Sequence, residues 1–117
     1  MSYRRQILFE NDEYQVVLFE WSQNSATPIH DHSTSRCWMQ IIQGKFEEKV
    51  YDVANCKQLV SNTIYEAPQL NYMDNSIGWH QIRALGEHNI TLHVYQPPLH
   101  EFRIYDPETG QITTQST

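Results

Sequence analysis

Two imidazoles two residues apart are the sharpest chemical feature of this 117-residue chain. In His30-Asp31-His32, alternate side chains of an extended backbone project from one face, so His30 and His32 converge while Asp31 points away. Two nitrogens on one rigid strand leave a metal site incomplete, and a third ligand has to arrive from another segment. His80 is the leading candidate, because Asn75-Ser76-Ile77-Gly78-Trp79-His80 reads as a turn that delivers it to a strand start. Three neutral imidazoles suit a borderline transition metal better than Mg or Ca, which take oxygen ligands. The spacing allows Fe, Zn, Ni or Cu equally. Taken alone, the His-x-His pair also fits a solvated strand face or two satisfied hydrogen bonders. His88 and His100 stand in loop-like stretches and read as surface residues.

The elements that must carry these residues are strands. Aromatic and β-branched residues are abundant, and long Ala/Glu/Lys-rich tracts are absent. Residues 14–21 (YQVVLFEW) form a short apolar run expected to be a buried strand. Pro28 closes a polar loop, the chain then runs extended through His30 and His32, and residues 37–43 resume as a strand up to Gly44. Residues 45–53 (KFEEKVYDV) alternate as a half-exposed strand does, with Glu47 and Glu48 expected on its solvated face. Further strands are expected over 59–67, 78–85, 90–96 and 101–105, and the tail from Thr113 is expected to fray. Seven or more short strands with turn signals every 8–12 residues predict an all-β sandwich or small barrel.

Composition narrows the function classes. A chain of 117 residues and 13.9 kDa suits one domain, here taken as residues 1–117, with no internal repeat or linker. Eight Lys and Arg against 14 Asp and Glu give a formal charge of −6, the wrong sign for a nucleic-acid binder. No apolar run reaches the length of a membrane span, and Met1 to Arg5 lead into no signal-peptide core, so the expected location is cytoplasmic. Cys37 and Cys56 are too few for a disulfide framework, and Cys56 reads as an incidental thiol. Trp21, Trp38 and Trp79 read as core or barrel lining. Oligomeric state is left open.

The order of these motifs resembles the cupin barrel. Cupins show a His-x-His, a Glu a few residues on, six more residues, a Gly, and a third His on a later strand. Here Cys37 stands where the Glu would be, followed by residues 38–43 and Gly44. An isomerase-type cupin normally keeps that Glu. The cysteine dioxygenases, which use three His ligands and no acid, match this departure. Their Tyr-x-Arg segment is similar to Tyr3-Arg4-Arg5, and their Asp-Ser-Ile-Gly-x-His to Asn75-Ser76-Ile77-Gly78-Trp79-His80. Their hydroxyl-x-His-x-Tyr run before a Pro pair resembles Thr91-Leu92-His93-Val94-Tyr95-Gln96-Pro97-Pro98. The resemblance runs from about Tyr3 to Gly110.

That resemblance implies an all-β cupin barrel (a double-stranded β-helix, or jelly roll) with little helix. It implies Fe(II) on His30, His32 and His80, and conversion of L-cysteine and O2 to cysteine sulfinic acid. Arg5, with Tyr3, would clamp the substrate carboxylate bidentately, Arg4 being the fallback on the other face. Tyr95 would act near the metal, aligned by His93 and Thr91. Patterning alone would instead put Leu92 and Val94 inward. Cys37 opposite Tyr95 implies a thioether crosslink, its plain alternative being a small buried hydrophobe. A cis bond is implied at Gln96–Pro97. Members of the family carry a helical segment ahead of Tyr-x-Arg, whereas this chain opens almost on it, so Arg5 is expected to be weakly anchored. Rival readings are a dioxygenase for 3-mercaptopropionate or cysteamine, and a cupin that binds metal or ligand without turnover.

Overall fold

A computed structural model describes residues 3–117; Met1 and Ser2 lie outside the described residues. The described residues form strands and no helix. They are β1 (Tyr3–Glu10), β2 (Gln15–Trp21), β3 (Ile29–His30), β4 (Arg36–Gln43), β5 (Lys45–Tyr51), β6 (Leu59–Glu66), β7 (Leu70–Met73), β8 (Trp79–Ala84), β9 (Asn89–Gln96), β10 (Glu101–Tyr105) and β11 (Ile112–Ser116). Two antiparallel sheets result, one ordered β1-β2-β9-β4-β7 and the other β11-β10-β3-β8-β5-β6.

Period-two patterning decides which side of each strand faces the interior. Along β2, Gln15, Val17, Phe19 and Trp21 are buried while the residues between them are less so. Phe19 and Trp21 meet Met39 and Ile41 from β4, Phe46 from β5, and Ile82 and Ala84 from β8 in one core between the sheets. Ile41 and Phe46 are fully buried, and each such side chain contributes roughly 1.5–3 kcal/mol relative to exposure. The β4–β5 turn depends on Gly44, which sits at φ +97°, where a Cβ would lie 2.4 Å from Asn89 Oδ1.

Several expectations shift. Residues 113–116, expected to fray, pair with β10 as β11, and Thr117 N donates to His100 O at 2.8 Å. The Tyr3–Glu10 segment is a full strand paired with β2, and β7 was hidden among polar neighbours in residues 70–73. The extended run through His30 and His32 ends as a strand at His30, with His32 in the turn that follows. Gln96–Pro97 is cis as implied, and Ala67–Pro68 is cis as well. No helix of the described residues is long and apolar enough to cross a membrane.

Candidate active site

Backbone register brings the imidazoles together. His30 on β3 is the antiparallel partner of His80 on β8, so the two side chains stand opposite each other on one face. His32 is set by its turn: Ser35 N donates to His32 O at 2.9 Å, and His32 N donates to Asn75 Oδ1 at 2.8 Å. Asp31 points away from the pair, as expected, and is buried where Arg103 N and Nε each donate to it at 2.7 Å. At Gly78, φ is +147° and a Cβ would lie 2.1 Å from Tyr51 O, so glycine is required just before Trp79 and His80. One nitrogen from each of His30, His32 and His80 lies within 4.8 Å of the others.

The donor set fits a metal ion. His30 Nδ1 faces Pro28 O at 2.9 Å, an acceptor, so Nδ1 carries the proton and Nε2 the lone pair. His80 Nδ1 faces Glu48 Oε2 at 2.8 Å, which assigns the same tautomer. The two Nε2 atoms are 3.2 Å apart, and two lone pairs at that distance repel unless they share a proton or a cation. Bonds of about 2.0–2.1 Å to one ion put nitrogens on adjacent corners near 3 Å apart. His32 Nδ1 is, among the described residues, a buried side-chain nitrogen without a hydrogen-bond partner. Burial holds His30 below its ordinary pKa, and burial with neighbouring imidazoles holds His32 and His80 well below it. All three rings are therefore neutral, as ligands must be.

The opposite wall is laid down by β1. In the β1–β2 register Tyr3 pairs with Trp21, Arg4 with Glu20 and Arg5 with Phe19. Tyr3 and Arg5 line the cavity, while Arg4 turns outward and donates to Glu20 at 3.0 Å. Arg5, expected to be weakly anchored, is thus held in the β1–β2 ladder, paired with Phe19. The Tyr3 ring packs 5.0 Å from that of Trp21 and 5.6 Å from that of Phe19. Burial raises the Tyr3 hydroxyl, and the Arg5 charge partly opposes it. The cavity volume is about 190 Å³, below the ~300–1,000 Å³ of drug-sized pockets, and suits a ligand of a few heavy atoms.

On β9, Thr91, His93 and Tyr95 are the buried set and Leu92 and Val94 the less buried one, so patterning by hydrophobicity alone is reversed here. Trp21 Nε1 donates to Thr91 Oγ1 at 3.0 Å, Thr91 Oγ1 lies 2.8 Å from His93 Nε2, and His93 Nδ1 lies 3.1 Å from Tyr95 Oη. An indole N–H only donates, so Thr91 accepts from it and turns its own proton to His93 Nε2. His93 then donates from Nδ1 to Tyr95, whose own O–H is hydrogen-bonded to the Cys37 sulfur beside the cavity. Burial depresses His93 to about 3, keeping it neutral. Cys37 is the register partner of Tyr95, and its Sγ lies 3.9 Å from His93 Nδ1. Burial pushes the Cys37 thiol up to about 12, so it rests protonated, and Tyr95 is raised well above its ordinary value by burial and by Cys37.

The family model described as Cysteine dioxygenase type I matches residues 1–108. The chain belongs to the cysteine dioxygenase type I family. Curated relatives carrying the name Cysteine dioxygenase type 1 include one from Danio rerio, 27% identical over 120 residues, covering 96% of this chain and 60% of that protein. The Homo sapiens relative is 27% identical over 106 residues, covering 86% and 53%. The chain therefore spans about half to three-fifths of the length of these relatives. Among solved structures, a cupin 2 domain-containing protein from Halorhodospira halophila superposes with TM-score 0.72 at 17% identity, covering 91% of this chain and 72% of that one. A Schizosaccharomyces pombe cupin domain gives 0.67 at 13%, covering 82% and 61%. At such identities the likeness shows the fold, an all-β cupin.

For a cysteine dioxygenase family member, the nine residues singled out from sequence converge well: Tyr3, Arg5, His30, His32, Cys37, His80, His93 and Tyr95 line one cavity, and Thr91 lies directly behind His93. His88 and His100 are exposed, His100 against Glu10 at 2.9 Å. Cys56 is half-buried beside Ile29, Trp79 and Tyr105. Glu48 was misplaced. Expected on a solvated face, it is buried, with Oε2 accepting from His80 Nδ1 and Asn71 Nδ2 at 2.8 Å each. Its neighbours give the signal: Phe46, Glu48 and Val50 share one parity on β5 and are all buried. Asn71 was missed with it, since β7 itself was not anticipated. Trp21, read as lining, also holds the far end of the Thr91–His93–Tyr95 chain.

Proposed function

We propose that this protein is a thiol dioxygenase that binds Fe(II) at His30, His32 and His80 and converts L-cysteine and O2 to cysteine sulfinic acid. The observation that carries the reading is a three-histidine cluster without a carboxylate ligand, facing an arginine across a cavity of about 190 Å³. When bound, iron supplies the charge that favours the substrate thiolate and the redox chemistry that engages O2. The protein's residues do the rest. Arg5 receives the carboxylate through its planar fork, with the Tyr3 hydroxyl beside it, which orients the amino acid across the pocket. Tyr95, fixed by His93 and Thr91, offers its O–H to substrate or oxygen at the centre. Phe19, Met39, Ile82 and Leu99 exclude water from the same space. The thiol and both oxygen atoms end in one product, RSH + O2 → RSO2H, so no further reductant is needed.

The test is oxygen uptake with sulfinate detection on anaerobically iron-loaded protein, comparing cysteine, cysteamine and 3-mercaptopropionate. Cysteine is expected to be turned over fastest, one O2 per sulfinate. Turnover of cysteamine in preference would move the assignment to a substrate without a carboxylate, and no uptake with any thiol would favour a binding cupin. The Cys37–Tyr95 pairing supports a thioether formed during turnover, with O2 as oxidant and about two hydrogens lost. Intact mass of turned-over protein reads it directly: a deficit of about 2 Da and one fewer reactive thiol are expected, and full mass with two reactive thiols would rule the bond out.

A further inference from the structure

We infer that Glu48 is the positioning residue of the metal centre, its carboxylate locking His80 as the Nδ1–H tautomer and aiming the Nε2 lone pair at the ion. The inference rests on the metal-centre reading above and adds a residue to it. His30 and His80 both need an acceptor behind them. For His30 that acceptor is the backbone carbonyl of Pro28, which no substitution removes. For His80 it is a side chain, Glu48, at 2.8 Å. The position would otherwise be apolar, since Phe46 and Val50 on the same face of β5 are buried core residues. A carboxylate in such surroundings is costly unless hydrogen-bond donors engage it.

Glu48 is so engaged. Asn71 Nδ2 donates to it at 2.8 Å and the Tyr65 hydroxyl bonds to it as well. Asn71 belongs to β7 in the sheet that carries Cys37 and Tyr95, whereas Glu48 and His80 belong to the other sheet. The carboxylate therefore ties His80 to both walls of the barrel and fixes its ring plane. A negative group behind a ligating imidazole also makes its far nitrogen a stronger donor. Cys37 supplies no carboxylate ligand, and Glu48 instead sets a carboxylate behind His80, hydrogen-bonded to its Nδ1.

The experiment uses the full chain, stripped of metal, with Co(II) as probe. Its dissociation constant is measured by chelator competition for wild type, Glu48→Gln and Glu48→Leu, and 15N shifts report the His80 tautomer before metal is added. Glu48→Gln keeps an acceptor oxygen but loses the charge, so the tautomer is expected to persist while Co(II) binds about tenfold more weakly. Glu48→Leu is expected to scramble the tautomer and weaken binding by about 10–100-fold. A purely structural role would lower the melting temperature and leave tautomer and affinity at wild-type values. Should Glu48→Leu fail to fold, Glu48→Gln decides: affinity within about twofold of wild type overturns the inference. Wild-type protein that binds no Co(II) would instead remove the metal centre itself.

Discussion

Arg4 and Arg5 are adjacent on β1, and strand parity sends them to different environments. Arg4 lies against Glu20 in solvent, where an exposed ion pair is worth about 0–1 kcal/mol. Arg5 lines the cavity, close enough to His93 and Tyr95 for its charge to act on both. A charge-assisted hydrogen bond to a substrate carboxylate is worth about 1.5–3 kcal/mol, or roughly 10–150-fold. Arg5→Ala is accordingly expected to cut kcat/KM for cysteine by that factor, mostly through KM, and to leave turnover of cysteamine, which has no carboxylate, nearly unchanged. Arg4→Ala is expected to leave both near wild type. Steady-state kinetics on the two thiols checks this, and equal losses on both would show that Arg5 shapes the pocket rather than grips the carboxylate.

Strand parity and turn chemistry explain what could be read at the scale of elements. The His30-Asp31-His32 spacing was legible because two-residue periodicity holds even where β3 breaks off at His30. The inward set Thr91, His93 and Tyr95 was legible only through motif resemblance, because Leu92 and Val94 look like the better core residues. Glu48 was lost for the converse reason: a charged residue reads as exposed, although its parity with Phe46 and Val50 said otherwise. β7 and β11 lack apolar alternation, and their pairing with β4 and β10 is a property of the assembled sheets. Gly78 is the element-scale feature most open to test. Its φ of +147° and the 2.1 Å approach of a Cβ to the Tyr51 backbone oxygen leave an alanine nowhere to go. Backbone strain of this kind costs on the order of 1–3 kcal/mol, and relieving it must shift the start of β8. Gly78→Ala is expected to lower the unfolding free energy from urea titration by that amount and to weaken Co(II) binding together, since His80 is two residues away. Wild-type affinity in a destabilised variant would mean that β8 absorbs the strain without moving His80.

Across the whole molecule, three buried imidazoles and the half-buried His30 set the response to acid. Burial holds His30, His32, His80 and His93 below the ordinary histidine value, His93 at about 3. In the unfolded chain the same rings titrate near 6.5. Below that pH the unfolded state takes up protons that the folded state refuses, so ΔG of unfolding falls as pH falls. Each ring held neutral contributes up to about 1.4 kcal/mol per pH unit. Glu48 works the other way: burial raises its pKa, so acid relieves part of its desolvation, but one carboxylate opposes four imidazoles. Asp74, held low by Ser76 and Tyr72, loses its contribution only further down, as pH falls through the ordinary carboxylate value toward its own lower one. The metal-free protein is therefore expected to show a level urea midpoint from pH 8 to 7 and a steep decline from about 6.5 downward. Metal-loaded protein should start higher and fall more steeply, because ions and protons compete for the same nitrogens. A metal-free midpoint that stays level to pH 5.5 would show that the rings protonate freely in the folded state, and the closed, neutral cluster described here could not stand.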